Sequence, residues 1–401
     1  MNQVGRPRRI LLVDCDQFFV QCARIADPDG AGREELLLVG GSAASRGVVT
    51  SASYATRAFG VRSGMPTAQA LRLCPGARVV PVPRRVCGEK SDEVHRVLET
   101  FTPEVERASI DEAYLDLSGT EALYHDEPLA DTAQRIKDAV ARDAGIVVSV
   151  GGGTNKLIAK LAVRFAKPSG VHIVEPGDEL EFMRRVELAA IPGIGPVFQE
   201  ELKRFGLIRV ADALAYDRDT LVGWLGARGE WLHDRIHGID EAAVASHAQA
   251  KSISRDETFA RDLSDDDDLR RELLALATRA AADLREAGLR ARTVTVRIRD
   301  SDFRNRSASR TVDEPIESDR AVVGLARELL ATLRERRRTP ARLLSVALSN
   351  FDHGAAGQLG LFGRPESQVE TERDRELSKA VDRVRSRFGR SAIKPGRLLE
   401  D

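Results

Sequence analysis

Three carboxylates in two short stretches have the residue types and setting that metal-assisted chemistry needs. Asp14 lies in LVDCDQFF (residues 12–19), and the adjacent Asp111 and Glu112 lie in SIDEAYLDL (residues 109–117). Adjacent side chains of a regular strand point to opposite faces, so Asp111 and Glu112 serve one site only at a strand end or hairpin turn. A solvated turn would explain the nonapeptide taken alone. Its apolar flanks, Ile110 before and Ala113-Tyr114-Leu115 after, weigh against that, because acids in such surroundings are costly unless a cation neutralises them. Three carboxylates on neighbouring strands suit two Mg²⁺ ions about 3.5–4 Å apart, which clamp the attacking and leaving oxygens of phosphoryl transfer. Hard cations prefer oxygen ligands, in keeping with the lack of clustered His and Cys here.

The elements that must position these acids can be read from the surrounding text. RRILLVDCD predicts a strand, GVVTSA a second, and VERASIDEAYLDLSG two strands around an acidic turn. SDEVHRVLETF reads as a helix. ADTAQRIKDAVARDAG and TNKLIAKLAVRFAKP carry apolar residues at helical spacing, with the strand IVVSV between them and Pro168 ending the second helix. The glycines of GGGTNK (151–156) lack the spacing of a phosphate loop and read as a tight strand-to-helix turn. Residues 185–247 are helical in pattern. The polar stretch HAQAKSISRDE separates them from a second α+β pattern over 251–350, in the order strand, helix (270–288), strand pair (292–312), helix (318–338) and strand (342–349). The text from 351 onward is Gly-rich and reads as a flexible tether, with an amphipathic helix from about 372 to 388.

Bulk properties fit this outline. The 401 residues allow two to four domains, and 61 basic against 62 acidic residues leave a net charge of −1. No global charge excess announces a nucleic-acid partner, although a local basic face is what phosphates meet. The first residues are too weakly apolar for a signal core or membrane span, and the four cysteines show no C-x-x-C pairing. A cytoplasmic protein with no membrane association is expected.

The motifs LLVDCDQFF, VVTSASYATRAFGVRSGMP, ASIDEAYLDLSG, NKLIAKLAVRFAKPSG and IPGIGP, in this order and spacing, resemble the Y-family DNA polymerases of the polymerase IV (DinB) type across residues 8–350. The resemblance implies an α+β right-hand polymerase: palm (1–17 and 80–184), fingers (18–79), helical thumb with a helix-hairpin-helix (185–247), α+β little finger (248–350) and a flexible tail (351–401). It implies two Mg²⁺ ions held by Asp14, Asp111, Glu112 and the backbone carbonyl of Cys15. Asp16 matches a family acid that is not a principal ligand, read as scaffolding that caps the following helix. Phe19 falls at the steric gate that favours deoxynucleotides, and Phe18 in the core. Tyr54, Arg57 and Lys167 match groups that contact the nucleotide triphosphate. Gly47, Val48 and Ser51 lie where the fingers cover the nascent base pair, and their small size implies tolerance of damaged templates.

Parts that would hold DNA follow. The glycines of IPGIGPVFQEELKRFG, Gly193 and Gly195, let backbone N–H groups approach a phosphate at a helix N-terminus. A weaker second copy lies in WLGARGEWLHDRIHG. RARTVTVRIRDSDFRNRSASR (290–310) holds seven arginines, and Val294, Val296 and Ile298 alternate with Thr293, Thr295, Arg297 and Arg299, so one strand face can pack while the other meets phosphates. Such binding would be strongly salt-dependent. QLGLF, with Gln358, Leu359, Leu361 and Phe362, resembles the peptide by which polymerases bind the bacterial sliding clamp. The reading is a monomeric, low-processivity translesion DNA polymerase acting on primer-template DNA and dNTP. A non-catalytic clamp-binding adaptor of the same fold is the competitor, and another two-metal palm enzyme such as a nucleotide cyclase is a third.

Overall fold

The apolar run ILLVDC forms β1 (Ile10–Cys15), with all six residues buried. Continuous apolarity is what a strand covered on both faces shows, and β1 is the central strand of its sheet. The structure is a computed structural model that describes residues 7–246, 250–352, 369–389, 392–393 and 395–396. The chain divides into two compact units, residues 1–248 and 249–401.

In the first unit β1 turns into α1 (Phe18–Ala26). A small sheet follows, β2 (Leu37–Gly40), β3 (Val49–Ala52) and β4 (Arg78–Val80), with α2 (Tyr54–Arg57) and α3 (Thr67–Leu73) between the last two. α4 (Arg84–Leu98) leads back to β5 (Val105–Arg107), β6 (Glu112–Asp116), α5 (Leu129–Ala144), β7 (Val148–Gly153), α6 (Lys156–Ala166) and β8 (Val171–Ile173). The main sheet runs β5-β6-β1-β7-β8. Leu11 and Val13 of β1 pack with α4 and α5 through Val94, Leu98, Ile136 and Val140. Ile10 and Leu12 pack on the opposite face with Ala159 and Val163 of α6.

The glycine run is a correction to the sequence reading. Gly151 to Gly153 are residues of β7, and the turn before α6 is Thr154-Asn155. A Cβ on Gly151 would stand 2.1 Å from the Val163 nitrogen, so only glycine lets α6 lie this close to the sheet. Asn155 caps α6 by accepting the Ile158 N–H at 2.9 Å.

Five short helices follow: α7 (Glu179–Arg184), α8 (Pro196–Arg204), α9 (Val210–Ala213), α10 (Arg218–Leu225) and α11 (Ala227–Ile236). They share one core with Leu157, Ile158 and Leu161 of α6. The chain then returns to the main sheet, where Val244 is buried beside Ile10 and the Ala245 N–H donates to Glu106 at 2.7 Å.

The second unit contains β9 (Ser252–Leu263), α12 (Asp266–Glu286), β10 (Arg290–Asp300), β11 (Asn305–Ile316), α13 (Asp319–Arg336) and β12 (Ala341–Asp352). The antiparallel sheet runs β11-β10-β12-β9, with one face on α12 and α13. The polar text SISRDE, expected to separate domains, is the start of β9. Its Ser252, Ser254 and Asp256 are exposed while Ile253 packs on the core, an alternation that polar residues on both faces conceal.

A final helix, α14 (Glu372–Phe388), forms where sequence predicts it, but polar residues are buried on it while two of its large apolar ones are not. Leu377 and Phe388 are 64% and 65% exposed, while Asp374 and Ser378 are buried. The start of α13 explains this. Its unpaired N–H groups need acceptors: Glu370 takes those of Glu317 and Ser318, and Ser378 Oγ takes that of Asp319. The buried Arg285 guanidinium joins Asp319 and Asp382 across the same contact. Residues 369–389 are thus an integral part of this unit and not a loose tail. The QLGLF peptide lies outside the described residues.

Burial alone would raise the Glu370 carboxyl, but Ser318, Arg375 and the Glu317 N–H together hold it below the usual glutamate value. A carboxyl with a depressed folded pKa stabilises above its unfolded pKa, about 4.3, and loses that contribution as pH falls through the folded value. Glu370→Ala should therefore cost about 1–3 kcal/mol near neutrality, the price of stranding buried donors. Hydrogen exchange at the start of α13 reads this directly. The gap between variant and wild type should close below about pH 4, and a pH-independent gap would contradict the capping role.

Candidate active site

Asp14 and Glu112 are direct cross-strand partners in the antiparallel pairing of β1 with β6. Carboxylates placed opposite one another on one sheet repel and need a cation between or beside them. Lysines supply it here. Lys167 Nζ donates to Asp14 Oδ1 at 2.5 Å, and Lys160 on α6 is bonded to Glu112. Asp111 stands just before β6, at the strand end. Its backbone oxygen accepts the Cys15 N–H at 2.9 Å and its carboxylate accepts Ser109 Oγ at 2.6 Å. The fold thus brings Asp14 and Glu112 face to face and keeps Asp111 beside the end of β1. Among the described residues no three His, Cys, Asp or Glu side chains converge closely enough to enclose an ion.

Burial pushes the Asp14 carboxyl up to about 6, with the neighbouring Glu112 adding to the rise and Lys167 opposing it. Burial acts on Glu112 in the same direction, but Lys160 outweighs it and holds that carboxyl below its usual value. The pair is a desolvated, oxygen-only donor set that gains by meeting cations, and it fits hard divalent ions.

Phe18 is buried in the core, and Phe19 is half-buried with its ring edge-on to Phe18 at 5.5 Å. Tyr54 and Arg57 begin and end α2, which Ser53 caps by accepting the Thr56 N–H. The Arg57 guanidinium lies 5.1 Å from the centre of the Tyr54 ring, and its Nε donates to the Ala52 oxygen. Ser51 is buried on β3, whereas Val48 is 48% exposed. Gly47 meets Gly41 so closely that a Cβ would stand 2.4 Å from the Gly41 carbonyl carbon.

Sequence reading missed two contributors and misassigned a third. Lys160 shares the NKLIAK text with core residues, and nothing local marks its partner 48 residues away. Gln17 accepts the Tyr54 N–H at 2.9 Å. Asp16 does not cap α1: the capping position is Gln17, which makes no side-chain cap, and the Asp16 carboxylate is engaged elsewhere. The IPGIGP corner is also simpler than expected, because a single 3₁₀ turn (Leu188–Ala190) precedes it in place of a full helix. Gly193 has φ +100°, and Gly195 precedes Pro196 at the start of α8. The text of the suggested second copy spans the end of α10 and α11, joined at Gly226. A cavity of about 510 Å³ lies between Lys160 and Arg164 of α6 and the 189–195 turn.

On the open face of the second unit's sheet, registered rows cross the strands. They read Thr311–Thr293–Ser349–Ser252, Ser309–Thr295–Ala347–Ser254 and Ser307–Arg297–Ser345–Asp256. Hydroxyls dominate this face. Several of the arginines in 290–310 are spent within the unit: Arg290 on Asp352, Arg306 on Asp300, and Arg310 on Glu328.

Comparison with known proteins defines the class of this chain. Residues 13–164 match the impB/mucB/samB family, and residues 250–361 match the C-terminal domain of that family. The Y-family DNA polymerase chimera Dbh-Dpo4(243-245)-Dbh superposes with a TM-score of 0.77 at 26% identity, covering 85% of this chain and 98% of its own. An insertion ternary complex of Dbh DNA polymerase gives 0.61 with the same identity and coverage. The chain belongs to the Y family of DNA polymerases. Its likeness is to the polymerase IV branch. DNA polymerase IV of Dehalococcoides mccartyi strain CBDB1 is 33% identical over 394 residues, covering 97% of both chains, and that of Caulobacter vibrioides is 34% identical over 388, covering 97% of this chain and 93% of the other. The enzyme is accordingly a translesion DNA polymerase, and nothing among the relatives favours the adaptor reading.

If Lys167 restrains the Asp14 carboxyl, Lys167→Met should move its midpoint above about 6 in metal-free protein. The sign follows from removing a cation that favours the charged form. Carboxyl NMR titration checks it, and an unmoved midpoint would mean that the pair is not formed in solution.

Proposed function

We propose that Asp14, Asp111 and Glu112, with the Cys15 carbonyl, form the nucleotidyl-transfer site of this polymerase. The observation that carries the proposal is the registered pairing of Asp14 with Glu112, each held by a lysine. Two Mg²⁺ ions bound there would activate the primer 3′-OH and steady the triphosphate of the incoming dNTP. The chain's own part is to hold the ligand oxygens on a rigid central strand and its neighbour. Lys167 pairs with Asp14 in the free protein and turns to the triphosphate when Asp14 is otherwise neutralised. Arg57 offers a bidentate grip on phosphate oxygens and Tyr54 a hydroxyl. Phe19, braced by Phe18, crowds the 2′ position of the sugar.

The remaining assignments follow the domain plan. The small sheet with α2 and α3 makes up most of the proposed fingers (18–79), its last strand ending one residue beyond them, and the main sheet forms the palm (1–17 and 80–184). The α8 start, with Gly193 and Gly195, gives the thumb (185–247) free N–H groups for a phosphate. The hydroxyl rows with Arg297 and Arg299 give the little finger (248–350) a face for the sugar-phosphate backbone, which positions DNA without reading sequence. Gln358, Leu359, Leu361 and Phe362 serve as a sliding-clamp ligand in a monomeric enzyme. Among the described residues no helix is long and apolar enough to cross a membrane.

Primer extension with Mg²⁺ tests the centre. Asp14→Ala and Glu112→Ala should each abolish extension, by a factor on the order of 10³ or more, while DNA affinity is retained. Persistent extension would remove the assignment. For the peptide, the double change of Leu361 and Phe362 to alanine should abolish stimulation by a bacterial sliding clamp and leave clamp-free extension intact. Equal stimulation of variant and wild type would refute the clamp contact.

A further inference from the structure

Two residues beyond the proposed metal ligand lies a carboxylate that the mechanism above does not use. Asp16 is 2% exposed, and among the described residues its carboxylate is bonded by donors alone. Tyr54 Oη donates to Oδ1 at 3.0 Å, Ser149 Oγ lies 2.9 and 3.0 Å from the two oxygens, and the Ser169 N–H donates to Oδ2 at 2.6 Å. The partners come from three separate segments: α2 of the small sheet, β7 of the main sheet, and the turn after α6. That turn is the one that carries Lys167. Ser169 itself holds a left-handed conformation, φ +51°, uncommon for a side chain without special support. The bond from its N–H to Asp16 supplies that support. The neighbouring Gln17 reinforces the first link by accepting the Tyr54 N–H.

We propose that Asp16 is a positioning residue for the incoming nucleotide, fixing Tyr54 and the Lys167–Ser169 turn at one distance so that both meet the same triphosphate. The proposal rests on the assignment of Tyr54 and Lys167 to the triphosphate made above. Asp16 touches neither nucleotide nor metal in this role. A carboxylate suits it because it presents acceptors alone. An asparagine would turn an NH₂ group towards one set of donors and release either Tyr54 or the Ser169 turn. The Tyr54 hydroxyl has one proton, and in the free protein that proton is given to Asp16. A phosphate oxygen must draw it away, and Asp16 then keeps Ser149 and Ser169 as partners. The carboxylate is never stranded, which allows the exchange at modest cost.

The test is single-turnover primer extension with separate determination of the dNTP dissociation constant, the maximal rate and the primer-template affinity. Asp16→Asn should weaken dNTP binding by about 10-fold, because Tyr54 and the Ser169 turn would then be ordered only when the nucleotide binds and not before. The maximal rate should change by less than about threefold and DNA affinity not at all. In the Tyr54→Phe background the same change should cost clearly less, because one of the links is already gone. Ser149→Ala removes a donor without touching Tyr54 or the turn. It serves where Asp16→Asn does not fold, and should weaken dNTP binding about threefold at unchanged rate. A loss of maximal rate with unchanged dNTP affinity, or full additivity with Tyr54→Phe, would overturn the positioning role, as would unchanged affinity in Ser149→Ala if that variant alone is available. If Tyr54→Phe and Lys167→Ala themselves leave dNTP affinity unchanged, the triphosphate assignment fails instead. The two failures are therefore distinguishable.

Discussion

The register of β1 against β6 sets Asp14 opposite Glu112, and much of the first unit follows from that one like-charged pairing. Buried acids facing each other are tolerated only where positive charge is at hand. Lys160 and Lys167 provide it from α6 and from the turn that follows. For a helix to bring lysines to the edge of a sheet it must lie close against the strands. The approach of α6 to Gly151 achieves this, because any side chain at that point would collide with the backbone around Val163. The glycines of β7, the lysines of α6 and the acids of β1 and β6 thus form one arrangement.

Residues whose role depends on pattern were legible in the sequence. β1, α5, α6 and the acidic strand end at Glu112 are written in local apolar spacing, and their boundaries fall close to where that spacing places them. β2 was missed because ELLLVGG is short and directly followed by glycines. β9 is expected as the first strand of its domain, but its start at Ser252 falls in text that reads as a separator, because its outward residues are serines and an aspartate and the alternation resembles a linker. Asp16 and Lys160 illustrate a different limit. Their partners lie 38 to 153 residues away in the chain, and no local signal states which donor a carboxylate will meet. The candidate acids stand out because their motif is recognisable, whereas Lys160, which holds Glu112, carries no such mark, and Lys167 is singled out for a different partner.

The open face of the second unit differs in chemistry from the reading of its sequence. Seven arginines in 290–310 promised a cationic surface, yet folding turns several of them to acids of the same unit. Serine and threonine rows remain, and hydroxyls can donate to any phosphate or sugar oxygen without fixed charge. Salt dependence reports the number of phosphates neutralised. As the proposed DNA-backbone face, it would therefore contribute fewer charges to that number than composition suggests.

The docking of α14 gives the second unit a dependence on its last described helix. Glu370, just before α14, accepts the N–H groups of Glu317 and Ser318 at the start of α13, and Arg285 of α12 reaches Asp382 of α14. Removing the residues from 369 onward would therefore do more than shorten the chain. It would uncover buried donors at the start of α13 and take away one of the two carboxylates that the Arg285 guanidinium joins.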